Sequence, residues 1–245
     1  MKILAVDTTA KACSVSLIQD NRVLAENFVN LNFTHSQTMM PMCQQLLENA
    51  KISLKEVDAF AVSTGPGSFT GLRIGLSAVK GMAFALQKPC IGVSTLDALA
   101  QNVAEFPGII CAVMDARCHQ VYNALYENQN GVLNKLTDDR ALMIDELLEQ
   151  LKNFQKPIIL VGDGADLCYN AYKDILEQLV LAHPQNRFQR ASSVGMLAAQ
   201  KAEQGEFLSP SEILPSYLRL PQAQRELLQK KQQQNQNHQK GSEKE

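Results

Sequence analysis

Three polar residues that could do chemistry follow the first apolar run of the chain: Asp7, Thr8 and Thr9. A carboxylate with neighbouring hydroxyls on a turn can hold a hydrated metal ion or face the phosphates of a nucleotide. The same residues can instead end a strand and satisfy the amides of a turn, which is the commoner arrangement. Asp115 ends a similar run later in the chain, and this second copy favours a two-lobed nucleotide cleft.

A glycine-rich string, GPGSFTGLRIG, occupies residues 65–75. It follows an apolar run, and Ser68 or Thr70 can cap the helix that we expect next. Exposed amides at the beginning of a helix suit an anion. The spacing fits neither G-x-x-x-x-G-K-[ST] nor G-x-G-x-x-G, so it indicates no standard phosphate loop. A tight strand–helix connection explains the string as well as an anion site does.

The helix after this loop carries small residues on one side. Gly71, Gly75, Ala78 and Gly81 share one stripe of a helix with about 3.6 residues per turn. An interior Gly costs about 1 kcal/mol relative to Ala, so the stripe needs a compensating reason. Close packing supplies one, either on the chain's own sheet and helices or on a helix of another subunit.

A second helix, predicted over residues 38–50, carries more apolar side chains than one buried stripe needs. Several of them are methionines, which suit adaptable contacts. We therefore predict that the two helices form a docking face for a partner subunit. Its residues are Met39, Met42, Cys43, Leu46, Gly71, Ile74, Gly75, Ala78, Gly81 and Met82.

The residue types of common catalytic sites lack the required spacing. The four histidines, at positions 35, 119, 183 and 238, are not spaced as ligands on one element would be. The six cysteines form no C-x-x-C pair. Motifs of the G-x-S-x-G or H-E-x-x-H kind do not occur. The sequence therefore indicates no metal, no cofactor and no activated nucleophile.

Composition limits the class of protein. The 245 residues carry a formal net charge of −2, so the chain as a whole does not attract nucleic acid, and an RNA contact would be local or made through a partner. No run of 18 apolar residues occurs, which predicts no membrane span. The first apolar run meets Asp7 too early for a signal peptide, so we expect a cytoplasmic protein.

The order of apolar runs repeats itself. Each half reads as β-β-β-α-β-α, and the second copy begins near residue 109. We predict one lobe over residues 1–106 and another over residues 107–221. Residues 222–245 are rich in Gln and poor in large apolar side chains, which predicts a disordered tail. Turns are expected at Asp20-Asn21 and at residues 128–131.

Taken together, these motifs resemble the bacterial TsaB family, formerly YeaZ. The most specific string is GPGSFTGLRIG; ILAVDTT, HSQ, IGVSTL, MDAR and PSYLR also fit, and the resemblance covers about residues 1–220. It implies an α/β, actin/Hsp70-like (ASKHA) fold with two RNase H-like lobes. It also implies a part in making threonylcarbamoyladenosine next to the tRNA anticodon. The implied partners are a TsaD-like catalytic paralogue and a TsaE-like ATPase, with a homodimer when the chain is alone and tRNA contacted only through the complex.

The resemblance also bears on catalysis. TsaD-type sequences place two metal-binding histidines one helical turn apart, and Thr95 and Leu99 stand at those positions here. Neither side chain replaces imidazole as a ligand. Related phosphotransferases prefer a glycine near the position of Thr9, whose branched side chain would crowd a phosphate. We therefore interpret the cleft as vestigial; its residues are Asp7, Thr8, Thr9, Gly65, Gly67, Ser68, Thr70, Arg73 and Asp115. The alternatives are an ATP-dependent actin-fold phosphotransferase, a metallopeptidase-like protein and a homodimeric scaffold unrelated to tRNA.

Overall fold

The computed structural model describes residues 1–31, 33–129 and 132–219. They form two sheets with helices packed against them. The strands are β1 Lys2–Asp7, β2 Cys13–Gln19, β3 Arg22–Val29, β4 Ala59–Gly65, β5 Cys90–Ser94, β6 Ile109–Arg117, β7 Gln120–Gln129, β8 Val132–Lys135, β9 Arg140–Met143, β10 Ile158–Val161 and β11 Leu179–Leu181. The helices are α1 His35–Ala50, α2 Phe69–Leu86, α3 Thr95–Gln101, α4 Ile144–Leu151, α5 Ala165–Tyr172, α6 Pro184–Arg187 and α7 Ala191–Glu203.

The two sheets have the same strand order. The first runs β3-β2-β1-β4-β5 and the second β8-β7-β6-β10-β11, with β9 paired to β7 at one side. In each sheet the first strand pairs antiparallel with the second and parallel with the strand that follows the first helix. The predicted repeat is therefore present, and each copy continues into one more strand and further helix.

The hairpin turns follow from residues that tolerate a left-handed backbone. Asp20 and Asn21, between β2 and β3, have φ values of 50° and 58°, which confirms the predicted turn. Cys118 and His119 make the equivalent two-residue turn between β6 and β7, with φ of 54° and 56°. The turn expected at residues 128–131 includes positions 130 and 131, which lie outside the described residues.

The lobes exchange helices across their boundary. The helix α3 follows the first sheet in sequence, yet Leu96 and Leu99 pack into an apolar cluster with the second sheet. Conversely, α7 follows the second sheet and packs on β1 and β2, where Val194 and Ala198 join the core of the first lobe. The helix α3 also contacts β4 and β5, so it lies between the two sheets, and the boundary at residues 106 and 107 stays a prediction. The predicted tail, residues 222–245, lies outside the described residues.

The helix α2 is the described helix that is long and apolar enough, on length and composition alone, to cross a membrane. One side of it is buried on the first sheet through Leu72, Leu76 and Val79. A core helix of a globular protein meets the same criterion by this kind of packing.

Candidate functional site

Asp7 is fully buried at the end of β1. One carboxylate oxygen accepts from the Thr9 amide at 2.9 Å and from the Thr9 hydroxyl at 2.7 Å. The other accepts from the Ser63 hydroxyl at 2.5 Å. Burial raises the pKa of this carboxyl, and the hydrogen bonds from Ser63 and Thr9 act in the opposite direction. Both carboxylate oxygens therefore accept hydrogen bonds from other residues of the chain, and these bonds stabilise the turn after β1.

That turn packs directly on the beginning of α2. The Thr8 hydroxyl donates to the Gly71 carbonyl at 2.7 Å, and the Ser68 amide donates to the Thr9 carbonyl at 2.7 Å. A Cβ atom added at Gly67 would lie 2.5 Å from the Thr9 carbonyl oxygen. The turn after β1 and the beginning of α2 are therefore in direct contact. The glycine at position 67 is explained by this close approach.

A cleft of about 590 Å³ lies between the two lobes. Five of the nine predicted cleft residues line it: Thr9, Gly67, Ser68, Thr70 and Asp115. The other four, Asp7, Thr8, Gly65 and Arg73, are used elsewhere in the fold. The remaining lining comes from residues that the sequence did not single out for a cleft, namely Ala10, Lys11, Phe69, Met114, Ala116, Arg117, Tyr122, Asp163 and Arg219.

Asp163 is the titratable group in this cleft with the clearest shift. Desolvation raises its pKa to about 6, although the residue as a whole is only partly buried. The Gln189 side-chain amide opposes the shift by donating to the carboxylate at 2.9 Å. The other atom of that amide, Oε1, is buried and has no hydrogen-bond partner in the described part of the chain. Asp163 lies between two glycines directly after β10. This Gly-Asp-Gly pattern is the sequence feature that could have identified Asp163 as a cleft residue.

The small-residue stripe of α2 divides into two parts. A Cβ atom at Gly71 would lie 2.0 Å from the Thr8 carbonyl oxygen, and one at Gly75 would lie 2.4 Å from the Thr8 hydroxyl. Gly81 is different, because nothing lies within 4 Å of its Cβ position. Packing on the chain's own first turn therefore explains Gly71 and Gly75. A large residue at position 75 would disturb the monomer, which corrects the expectation that the stripe as a whole is free for a partner.

Most of the predicted docking residues of α1 also belong to the core of the first lobe. Met39, Cys43 and Leu46 are almost fully buried, and Met42 and Met82 nearly so. The accessible surface is made by their neighbours. Met40 is 45% exposed and Phe84 is 70% exposed, whereas Ile74 and Ala78 are half-buried. The docking face stays a prediction: its buried members pack in the core, and their exposed neighbours form the accessible surface.

An apolar groove of about 570 Å³ runs between α1 and the end of α2. We call it the α1–α2 groove; it is lined by Met40, Pro41, Cys43, Gln44, Leu47, Glu48, Lys51, Ile52, Leu54 and Met82. Its lining is mainly apolar, and polar side chains stand along its rim. A concave apolar surface with a polar rim is typical of a protein–protein contact.

Thr95 and Leu99 lie in the interior of the protein. Both have an exposed fraction of 0%, and Leu99 contacts the apolar cluster between α3 and the second sheet. The Thr95 hydroxyl has no hydrogen-bond partner among the described residues. Across residues 1–31, 33–129 and 132–219, no three His, Cys, Asp or Glu side chains are grouped closely enough to hold a metal ion. Leu99 therefore acts as a packing residue.

Comparison with known proteins gives consistent matches over almost the whole chain. The sequence model of the TsaD family, described as tRNA N6-adenosine threonylcarbamoyltransferase, matches residues 30–227. Two proteins named tRNA threonylcarbamoyladenosine biosynthesis protein TsaB are similar to this chain. The one from Bacillus subtilis strain 168 is 32% identical and covers 91% of this chain and 96% of its own length. The one from Escherichia coli strain K12 is 34% identical, with coverages of 89% and 95%.

Solved structures agree with these matches. YeaZ from Pseudomonas aeruginosa is 30% identical, with a TM-score of 0.73 over 89% of this chain and 99% of its own. Component A of the (R)-2-hydroxyglutaryl-CoA dehydratase of Acidaminococcus fermentans is 12% identical, with a TM-score of 0.50 over 83% and 99% of the two chains, and shares the fold alone. With the repeated strand order, these likenesses confirm the predicted actin/Hsp70-like fold.

Proposed function

The chain belongs to the TsaB family, and we propose that it is a non-catalytic subunit of the machinery that forms threonylcarbamoyladenosine in tRNA. The observation that carries this proposal is the full-length match to proteins named for that biosynthesis, which leaves almost no part of either chain unmatched. The match of residues 30–227 to the TsaD family model supports this proposal, because it makes the chain a relative of the transferase. A tRNA-modification function also fits a chain of low net charge if the RNA is held mainly by a partner.

Two features of the protein interior support the proposal that this chain is not itself a catalyst. The turn at Thr8 and Thr9 packs against the beginning of α2 through two hydrogen bonds, and the branched side chain of Thr9 lines the cleft. Leu99 takes part in the apolar core instead of presenting a ligand. These two features weigh against the phosphotransferase and metallopeptidase alternatives. Calorimetry with Mg-ATP and metal analysis of the purified chain test them directly.

The partner that we propose is a TsaD-like subunit, seated on the α1–α2 groove. Met40 lines this groove, and Gly81 is exposed on α2, the helix that contributes Met82 to the groove. An open glycine such as Gly81 allows a partner helix to approach the backbone of α2 closely. We further propose that the same surface forms a homodimer when the chain is alone, and that a TsaE-like ATPase and tRNA join only in the complex.

A co-purification experiment with matched variants tests the docking surface. Met40→Glu places a charge in the groove, and we expect at least about a tenfold loss of affinity for the TsaD-like subunit because that carboxylate would be desolvated. Val132→Glu is the control, because Val132 is 62% exposed on β8 in the other lobe. Binding that survives Met40→Glu, or that falls equally with Val132→Glu, would contradict the assignment. The monomer–dimer equilibrium of the isolated chain, measured by sedimentation, tests the homodimer with the same variants.

A further inference from the structure

The last described residues, 213–219, cross from one lobe to the other. We call this segment the strap. It begins in the first lobe, where Ile213 is fully buried in the core. The Ser216 amide then donates to the Thr64 carbonyl at the end of β4, at 2.7 Å. At this point the strap runs against Gly65, whose Cβ position would lie 2.5 Å from the Ser216 carbonyl oxygen and whose φ is 123°. The glycine at position 65 therefore makes room for the strap.

An aromatic contact holds the middle of the strap on α2. The Tyr217 ring stacks on Phe69, with a distance of 4.6 Å between centroids and an angle of 19° between planes. Arg73 donates from Nε to the Tyr217 hydroxyl at 3.0 Å, and its guanidinium lies about 6 Å from both rings. Tyr217 is 40% exposed, yet three contacts fix its position. This explains why Arg73 does not line the cleft.

The strap ends on the second lobe. Leu218 packs against the apolar cluster of the second sheet, and the Arg219 guanidinium donates to the Ala116 carbonyl near the end of β6. Arg219 and Ala116 both line the interlobe cleft. Consecutive residues of one short segment thus hold the two walls of the cleft. This connection is separate from the exchanged helices α3 and α7.

We propose that the strap is a latch that fixes the width of the interlobe cleft, and that Arg219 is the residue that closes it. A hydrogen bond from a charged donor contributes more than one between neutral groups, and this bond lies outside both exchanged helices. The buried Ile213 fixes one end of the strap in the first lobe, and the Arg219 hydrogen bond fixes the other end to β6 in the second lobe. Because Arg73 belongs to α2, the strap also joins the docking helix to the opposite lobe. The latch itself does not depend on the proposed function.

Interlobe distances measured by electron paramagnetic resonance test the latch. Cys118 is exposed in the second lobe and the other five cysteines are buried, so spin labels can be placed at Cys118 and at Lys55→Cys in the first lobe. We expect one narrow distance distribution in the otherwise unchanged full chain. Arg219→Ala should broaden that distribution and move it to longer distances. A distribution that is the same in Arg219→Ala would overturn the proposal.

Two further variants separate the latch from loss of charge and from misfolding. Arg117→Ala removes another cation that lines the same cleft, and it should leave the distribution unchanged. An equal broadening in Arg117→Ala would contradict the specific role of Arg219. Tyr217→Ala releases the strap at its aromatic contact and should broaden the distribution even if Arg219→Ala fails to fold. An unaltered distribution in Tyr217→Ala would likewise count against the latch.

Discussion

Gly75 and Gly81 lie on the same helix, and the structure predicts opposite effects for the same substitution. In Gly75→Ala the new Cβ would lie 2.4 Å from the Thr8 hydroxyl, which is buried and donates to the Gly71 carbonyl at 2.7 Å. The hydroxyl must move and lose its acceptor. An unsatisfied buried hydroxyl costs about 1–3 kcal/mol, and overpacking costs about as much again.

The alanine also favours the helix by about 1 kcal/mol, which offsets part of this cost. We therefore expect Gly75→Ala to lower the free energy of unfolding by roughly 1–5 kcal/mol. At Gly81 nothing lies within 4 Å of the Cβ position, so only the helix term remains. Gly81→Ala should raise the free energy of unfolding by about 0.5–1 kcal/mol.

Urea denaturation of the two variants and of the parent chain measures both effects. The comparison needs equal slopes of free energy against denaturant concentration, which show that the surface exposed on unfolding is the same. The two variants should differ by roughly 2–6 kcal/mol. If Gly75→Ala is as stable as Gly81→Ala, the contact between Thr8 and α2 does not explain the stripe, and our reasoning about the first turn is refuted.

Three other substitutions test separate parts of the structure. Asp163→Asn removes a carboxyl whose pKa is raised from 3.8 to about 6 on folding, so folding takes up a proton between these values and stability falls as pH rises through them. The variant should lose this pH dependence, and above pH 6 its free energy of unfolding should exceed that of the parent chain by up to about 3 kcal/mol. Thermal unfolding at several pH values measures both effects. A parent chain whose stability does not change from pH 4 to 6 would contradict the raised pKa. Leu99→His places an imidazole in an apolar core, so it should lower the free energy of unfolding by at least about 2 kcal/mol without creating a zinc site. A denaturant titration measures this loss. A variant that is as stable as the parent chain and binds zinc would refute the packing role. Tyr172→Phe removes a buried hydrogen bond of 2.7 Å to the Ile144 carbonyl and should lower stability by about 1 kcal/mol; no change would mean that the bond contributes nothing net.

The repeat and most of the elements could be predicted from the sequence because they depend on local patterns. Apolar runs located β1, β2, β4, β6 and β10 close to their observed bounds. Asp20-Asn21 marked a turn because these residues tolerate positive φ. The third strand of the second predicted copy corresponds to β8, whereas β5, β9 and β11 were not predicted. Each has only three to five residues, too few to establish a period.

The tertiary arrangement was beyond the reach of such patterns. Amphipathic helices such as α3 and α7 show that one side is buried, but not which sheet covers it. Gly75 and Gly81 look alike in the sequence, and only their neighbours in space distinguish an internal contact from an open surface. Arg73 was assigned to the cleft from its position in the glycine-rich string, yet its partner is Tyr217, 144 residues away. Interactions over such separations are set by the fold and leave no local signal.

We propose that this chain is an obligatory but non-catalytic subunit in the formation of threonylcarbamoyladenosine. The most direct measurement is the yield of modified adenosine in a reconstituted reaction containing unmodified tRNA and the other components of the machinery. We predict modification only when this chain is present, and loss of that modification with Met40→Glu but not with Val132→Glu. Equal yield without this chain, or formation of the product by this chain without a TsaD-like subunit, would contradict the account.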